Sequence, residues 1–146
     1  MPDLANLATL HTSLQTDVTM VVELDSRWTP SLTGLYYFMI KNRPTNESAT
    51  TVIRARIFHF PNGEDPCTGS AACTLACHLS LLDGMQGKTY AYLIEQGIEM
   101  GRSGELHVKV KLDETIGGSI YEVVLARRAV VAVTDGKLTL PTPQKL

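Results

Sequence analysis

One stretch decides the fold: residues 64–82, which read EDPCTGSAACTLACHLSLL. Its first half predicts a turn, because the ring of Pro66 disfavours helix at Asp65 and holds the chain extended. Only three polar side chains interrupt its second half: Thr74, His78 and Ser80. A helix that is apolar all round is buried. We therefore expect a central buried helix, wrapped by sheet, that begins around residues 68–70 and stops at the turn of residues 83–87.

The amino-terminal end of this predicted helix is the one polar opening of the buried segment. Asp65, Thr68 and Ser70 are its candidate capping residues. Free backbone N–H groups and the positive end of the helix dipole favour an anion there, such as a carboxylate or a phosphate. An ordinary capped helix end is the alternative, and the pattern alone does not choose between the two.

Composition excludes several classes of protein. The chain has 146 residues, enough for a single domain, residues 1–146, with its own core. It carries 13 Lys and Arg against 15 Asp and Glu, with no basic cluster, which argues against nucleic acid or an anionic membrane as a partner. Residues 1–6 lack the pattern of a signal peptide, and no apolar run reaches membrane-spanning length. The expected location is the cytoplasm.

The three cysteines predict free thiols. Cys73 and Cys77 are four residues apart on the predicted helix, where a disulfide is geometrically awkward. An odd number of thiols in a reducing compartment is the simplest account. Together with His78 they do not follow zinc spacing, so no metal is predicted. We expect Cys73 and Cys77 to pack in the core.

Strand-like segments flank the central helix on both sides. The predicted strands are residues 18–24, 34–40, 50–60, 90–95, 106–112, 120–125, 130–133 and 137–140. The segment 34–40 is apolar on both faces and is therefore expected in the interior. Strict alternation in residues 106–112 predicts that the apolar side chains point inward, and the glycines in residues 96–102 predict a bend. Leucines at three- and four-residue spacing predict a short helix over residues 3–15. The predicted fold class is α+β: a single domain with a mostly antiparallel curled sheet or barrel around one central buried helix.

Three segments together resemble the signature of the phenazine-biosynthesis (PhzF-like) family. Residues 56–71 resemble its R-x-F…E-D-P-x-T-G-S-A motif, residues 96–102 its Q-G-x-x-M-G-R segment and residues 34–36 its G-x-Y strand. The resemblance covers most of the chain and corresponds to the family's C-terminal domain. It implies the diaminopimelate-epimerase-like fold, in which two similar domains, each a curled sheet around a central helix, enclose the active site in a cleft.

The departures from the family pattern concern the chemistry. The family's principal acid/base glutamate belongs to its N-terminal domain, and no residue of this chain inherits that role. Cys67 stands where family members usually carry a small residue, and His59 is also unusual at its position.

The resemblance implies a pocket for a small carboxylate-bearing molecule. Asp65 and the backbone amides of Gly69, Ser70 and Ala71 would line it, in agreement with the helix-end argument. Gln96 and Arg102 also match motif positions, where a structural role is equally compatible.

Three residues are candidate catalytic groups: Asp65, Cys67 and His59. Asp65 is an acid or base, or alternatively a helix cap. The Cys67 thiolate is favoured just ahead of a helix N-terminus, although a tolerated small residue is the alternative. His59 is a proton carrier near neutral pH, or an ordinary loop histidine. His78 is expected to be a core histidine, and His11 and His107 surface residues.

These observations predict a cofactor-independent, metal-free isomerase-type enzyme of this family. It would transfer protons on a small carboxylate substrate at a cleft between the subunits of a homodimer, where two copies of Cys67 can face each other. One alternative is a non-catalytic small-molecule-binding or partner subunit. Another is a cavity that steers a cyclisation or rearrangement in secondary-metabolite biosynthesis.

Overall fold

A computed structural model of the chain describes residues 4–10, 33–43, 50–60, 63–115 and 119–127. Its elements are α1 (Leu4–Ala8), β1 (Thr33–Asn42), β2 (Thr51–Phe60), β3 (Gly63–Asp65), α2 (Gly69–Asp83), β4 (Thr89–Gln96), β5 (Gly104–Leu112) and β6 (Ile120–Arg127). The predicted first helix is confirmed only over its first part. The strands predicted at 18–24, 130–133 and 137–140 lie outside the described residues.

The strands form one mixed sheet in the order β1-β2-β4-β5-β6. β2 has two partners along one edge: residues 51–55 pair with β4 in parallel, and residues 57–59 pair with β3 antiparallel. The other pairs, β1–β2, β4–β5 and β5–β6, are antiparallel. The predicted mostly antiparallel α+β sheet is thus confirmed. Among the described strands, the one parallel pair is β2–β4, where α2 supplies the crossover that a parallel pair requires.

Of the predicted alternatives, a curled sheet or a barrel, the described sheet is not a barrel, because it is open. β1 and β6 stand at the two ends of the strand path. β1 was expected in the interior because both of its faces are apolar, but among the described strands it pairs on one side only, with β2. Phe38 on β1 is 41% exposed. Among the described strands, apolar character on both faces therefore did not mark an interior position.

The core lies between α2 and one face of the sheet, which we call the inner face. On β5, Leu106, Val108, Val110 and Leu112 point inward and are at most 1% exposed, as the alternation predicted. From the helix side, Ala72, Leu75 and Ala76 pack against the same face. Small alanine side chains let the helix approach the strands closely, so the run of small residues in the sequence sets the thickness of this layer.

α2 is amphipathic, which corrects the expectation of a helix buried on all sides. Ser70, Thr74 and His78 are exposed, because a four-residue spacing places them on one stripe of the helix. His78 is therefore a surface residue and not the core histidine that we expected. The polar residue of α2 that is buried is Ser80. The helix ends as predicted: Gly84 adopts the left-handed conformation at φ 66° and its N–H bonds to the carbonyl of Ser80.

Ser80 is expected to stabilise the protein through a buried hydroxyl pair. Its Oγ lies 2.9 Å from the hydroxyl of Tyr92 and also donates to the carbonyl of Ala76 at 2.8 Å. Ser80→Ala removes the partner of the buried Tyr92 hydroxyl and should cost about 1–3 kcal/mol in urea unfolding. Adding Tyr92→Phe should recover part of that loss. Thr74→Ala on the exposed stripe, the matched control, should cost at most about 0.5 kcal/mol.

Candidate functional site

The turn between β3 and α2 closes on the carboxylate of Asp65. Oδ1 of Asp65 accepts the backbone N–H of Cys67 at 3.0 Å, and Oδ2 accepts the hydroxyl of Thr68 at 2.6 Å. Thr68 occupies the N-cap position of α2, as predicted, but makes no side-chain capping hydrogen bond. Its hydroxyl is directed at Asp65 instead. The first-turn amides of Gly69, Ser70 and Ala71 therefore receive no cap from this residue.

Gln96 holds this turn from the end of β4. Its side chain is fully buried, and all four hydrogen-bonding positions of its amide are used. Nε2 donates to the Asp65 carbonyl at 2.7 Å and to Thr68 Oγ1 at 3.2 Å. Oε1 accepts the Thr68 N–H at 3.3 Å and the Tyr36 hydroxyl at 3.2 Å. The sequence allowed either a structural or a functional role for Gln96. Its hydrogen bonds show that it fixes the geometry of this turn.

His59 lies on the inner face beside Asp65. Its Nε2 is 3.8 Å from Asp65 Oδ2, and its side chain is 15% exposed. Its Nδ1 is buried without a hydrogen-bond partner in the described part of the chain. Gly34 on β1 makes room for the ring, since a Cβ there would lie 3.0 Å from Nδ1. The structure brings two of the three predicted catalytic residues together.

The Cys67 sulfur packs against β5. A Cβ added to Gly104 would lie 2.7 Å from the Cys67 sulfur, so the thiol packs directly on that glycine. The side chain is half-buried and touches the hydrophobic core. Cys73 and Cys77 also pack against the core as predicted, and burial raises the pKa of both thiols. All three cysteines are free.

Tyr36 joins the site and was not singled out by the sequence analysis. Burial, followed by the negative charges of Cys67 and Asp65, raises the pKa of the Tyr36 hydroxyl far above its usual range. The hydroxyl therefore keeps its proton near neutral pH and acts as a donor to Gln96. The only signal in the sequence was its place in the segment 34–36 that resembles the family motif.

Glu64 and Asp65 point to opposite faces of the sheet, as expected for neighbours on a strand. Glu64 forms a two-pronged ion pair with Arg56, at 2.7 Å to Nε and 2.8 Å to Nη2. This hydrogen bonding to Glu64 raises the pKa of Arg56 further. The third guanidinium nitrogen donates to backbone carbonyls at the end of α1, those of Leu7, Ala8 and Leu10. The R-x-F and E-D-P motifs thus join α1, β2 and β3 into one unit.

The bend after β4 follows the predicted glycine pattern. Gly97 has φ 76°, and its carbonyl accepts the N–H groups of Met100 and Arg102. The Arg102 side chain is exposed. Among the described residues, no group of three or more His, Cys, Asp and Glu side chains is arranged to hold a metal ion. The helices that the structure describes include none long and apolar enough to span a membrane.

Comparison with known proteins identifies relatives of this chain. A family model described as phenazine biosynthesis-like protein matches residues 16–135. An uncharacterized isomerase of Mesorhizobium japonicum is 33% identical over 102 residues, which is 70% of this chain and 32% of that relative. The matched part thus spans about a third of the relative's length. No solved structure matches the chain significantly.

Proposed function

The chain belongs to the phenazine biosynthesis-like protein family, and on that premise we propose that it is an isomerase-type enzyme. It moves a proton on a small carboxylate-bearing metabolite and uses no cofactor. The relative named as an isomerase supports this class of reaction. The proposed architecture is one diaminopimelate-epimerase-like domain over residues 1–146. Its cleft is completed by a second copy of the chain.

The observation that carries the proposal is the His59–Asp65 pair beside the start of α2. Nε2 of His59 and Oδ2 of Asp65 are 3.8 Å apart, close to the first turn of the helix, whose N-cap residue Thr68 makes no side-chain capping hydrogen bond. An imidazole next to a carboxylate can take up and release a proton near neutral pH. Amides of a helix N-terminus suit a carboxylate.

In the proposed reaction the substrate carboxylate binds to the amides of Gly69, Ser70 and Ala71. His59 removes a proton from a carbon atom of the substrate, and the electron pair left behind moves into the adjacent unsaturated or carbonyl group. The imidazolium then returns the proton to a different carbon, or to the other face of the same carbon. Substrate and product have the same formula. Asp65 stabilises the imidazolium that exists between the two transfers.

We assign the proton transfer to His59 in preference to Cys67. The sulfur of Cys67 packs against Gly104, whereas His59 faces the carboxylate and the helix end. A mechanism with two Cys67 thiols from two subunits remains the competing assignment, and the variants below separate the two.

Solvent exchange tests the proposal. The protein is incubated in D2O with a panel of 2-amino, 2-hydroxy and cyclic unsaturated carboxylates, and deuterium at carbon is measured by mass spectrometry. His59→Asn should lower the incorporation rate by a factor of at least about 100, the usual scale for a lost acid/base group. His107→Asn, on an exposed histidine of β5, is the matched control and should retain the rate.

Cys67→Ser decides between the assignments. We expect it to keep the exchange rate within a few-fold. Loss of exchange in Cys67→Ser with full activity in His59→Asn would contradict our assignment and support the paired thiols. Light scattering tests the shared cleft, which requires a species with the mass of two chains. A monomer without exchange that still binds carboxylates would favour the binding-subunit alternative.

A further inference from the structure

We infer that Gln96 is a positioning residue that sets the direction of a hydrogen-bond chain ending on Asp65, and thereby keeps this carboxylate ionised. The inference deepens the proposed function and rests on it in one respect: Asp65 is the anion that faces His59. The hydrogen bonds of Gln96 in the described part of the chain go to Tyr36, Asp65 and Thr68, and Gln96 acts on the Asp65 carboxylate through Thr68.

The orientation of the Gln96 amide is fixed by two backbone partners. The N–H of Thr68 can only donate, so the side-chain atom 3.3 Å from it is the carbonyl oxygen of Gln96. The carbonyl of Asp65 can only accept, so the atom 2.7 Å from it is the amide nitrogen. If the amide were turned over, its oxygen would face the carbonyl oxygen of Asp65 and its N–H would face the N–H of Thr68. Both contacts would be unfavourable in this fully buried position.

This orientation directs the hydroxyl proton of Thr68. Nε2 of Gln96 donates to Thr68 Oγ1 at 3.2 Å, and the hydroxyl in turn donates to Asp65 Oδ2 at 2.6 Å. The other oxygen, Oδ1, accepts the N–H of Cys67. Both oxygens of Asp65 thus accept hydrogen bonds. Hydrogen bonds to the charged form of a carboxyl group favour that form.

At the other end of this series of hydrogen bonds, the direction of donation is also fixed. The hydroxyl of Tyr36 donates to Gln96 Oε1, and burial raises the pKa of Tyr36 so that it remains a donor. Among the described residues, the titratable groups near Asp65 include Tyr36 from β1, His59 from β2 and Cys67 from the turn itself. Glu64, its neighbour in the sequence, is directed to Arg56 on the other face. Protonated His59 is therefore the one cation among these groups, and an ionised Asp65 attracts it.

Titration of Asp65 tests the inference without requiring turnover. The carbon-13 shift of its carboxyl group is followed against pH by NMR in the intact protein. Gln96→Glu removes both N–H donors and lets the Thr68 hydroxyl turn toward the new carboxylate. The titration midpoint of Asp65 should then move upward by about one pH unit or more, a tenfold rise in proton affinity.

Two further variants isolate the hydroxyl. Thr68→Val removes only the donor to Oδ2 and should shift the midpoint in the same direction, whereas Thr68→Ser keeps the donor and should titrate like the unmodified protein. Gln86→Glu makes the same chemical change at an exposed residue beyond the other end of α2 and should leave Asp65 unchanged. If Gln96→Glu does not fold, Thr68→Val and Thr68→Ser decide the result.

Unchanged titration of Asp65 in Thr68→Val would overturn the inference, whatever the activity. A shifted midpoint in a protein that exchanges no deuterium would leave the role of Gln96 standing and reject the proposed function instead.

Discussion

Gly97→Ala is expected to abolish stable folding. Gly97 has φ 76°, a conformation that costs an L residue about 1–2 kcal/mol. Its missing side chain is also the contact point of two segments: a Cβ there would lie 2.5 Å from the carbonyl oxygens of both Pro66 and Arg102. Backbone atoms cannot move aside as a flexible side chain can. The combined penalty should exceed about 3 kcal/mol, a large part of the stability of a small domain.

Gly101 provides the matched control within the same bend. It has φ 67°, but a Cβ there would meet nothing within 4 Å. Gly101→Ala should therefore show the conformational penalty alone, about 1–2 kcal/mol in urea unfolding followed by circular dichroism. Equal losses for the two variants would contradict the close approach of Gly97 to Pro66. The bend would then be held by backbone conformation and not by packing against the Asp65 turn.

Local chemistry in the sequence was sufficient to place the turn and its helix. The proline at 66, the glycines at 69 and 84 and the small residues between them are signals that act within a few positions of themselves. The structure accordingly begins α2 at Gly69 and ends it at Asp83. The alternation in residues 106–112 was equally local, and it predicted the buried face of β5 correctly.

Two features of the fold could not be predicted from the sequence because they depend on segments that are distant along the chain. The exposed stripe of α2 and the position of β1 at one end of the described sheet follow from which strand faces which side of the helix. The short strand β3 was missed for the same reason. Its three residues, Gly63–Asp65, are extended because they pair with residues 57–59 of β2, and nothing in their own composition requires it.

The sequence named candidate site residues but did not show how they are arranged. His59 and Asp65 were both named from their chemistry. Their proximity comes from the β2–β3 register, which pairs Ile57 with Asp65 and turns the odd-numbered residues of β2 inward. Gln96 is 31 residues from Asp65, so its hydrogen bonds to the turn could not be predicted from the local sequence. The ion pair of Arg56 with Glu64 likewise depends on the pairing of β2 with β3.

Gln96 and Arg56 hold the same short strand from opposite faces. Gln96 bonds to the backbone of Asp65 from the inner side, and Arg56 holds the side chain of Glu64 from the outer side. Successive side chains of a strand point to opposite faces, so adjacent acids can be fixed independently. We therefore expect the outer contact to govern stability, whereas the inner one governs the protonation of Asp65.

Arg56→Met should destabilise the protein by about 3–5 kcal/mol, because it leaves Glu64 as a buried charge without its partner. The Arg56 side chain is 6% exposed and that of Glu64 is 8% exposed, so solvent cannot replace the lost hydrogen bonds. The backbone carbonyls of Leu7, Ala8 and Leu10 also lose their donor. Urea unfolding measures the loss. Proteolysis within residues 4–10 should become faster as α1 loses its attachment.

Two comparisons separate the buried charge from the other effects of this substitution. Lys41→Met breaks an ion pair of similar length, 2.8 Å to Glu95, but its lysine is 34% exposed, so the cost should be at most about 1 kcal/mol. Adding Glu64→Leu to Arg56→Met removes the unpaired charge and should restore part of the stability. The unrestored remainder measures the attachment of α1. If the double variant is no more stable than Arg56→Met, that attachment and not the ion pair is the main contribution of Arg56, and the three carbonyls become the next positions to test.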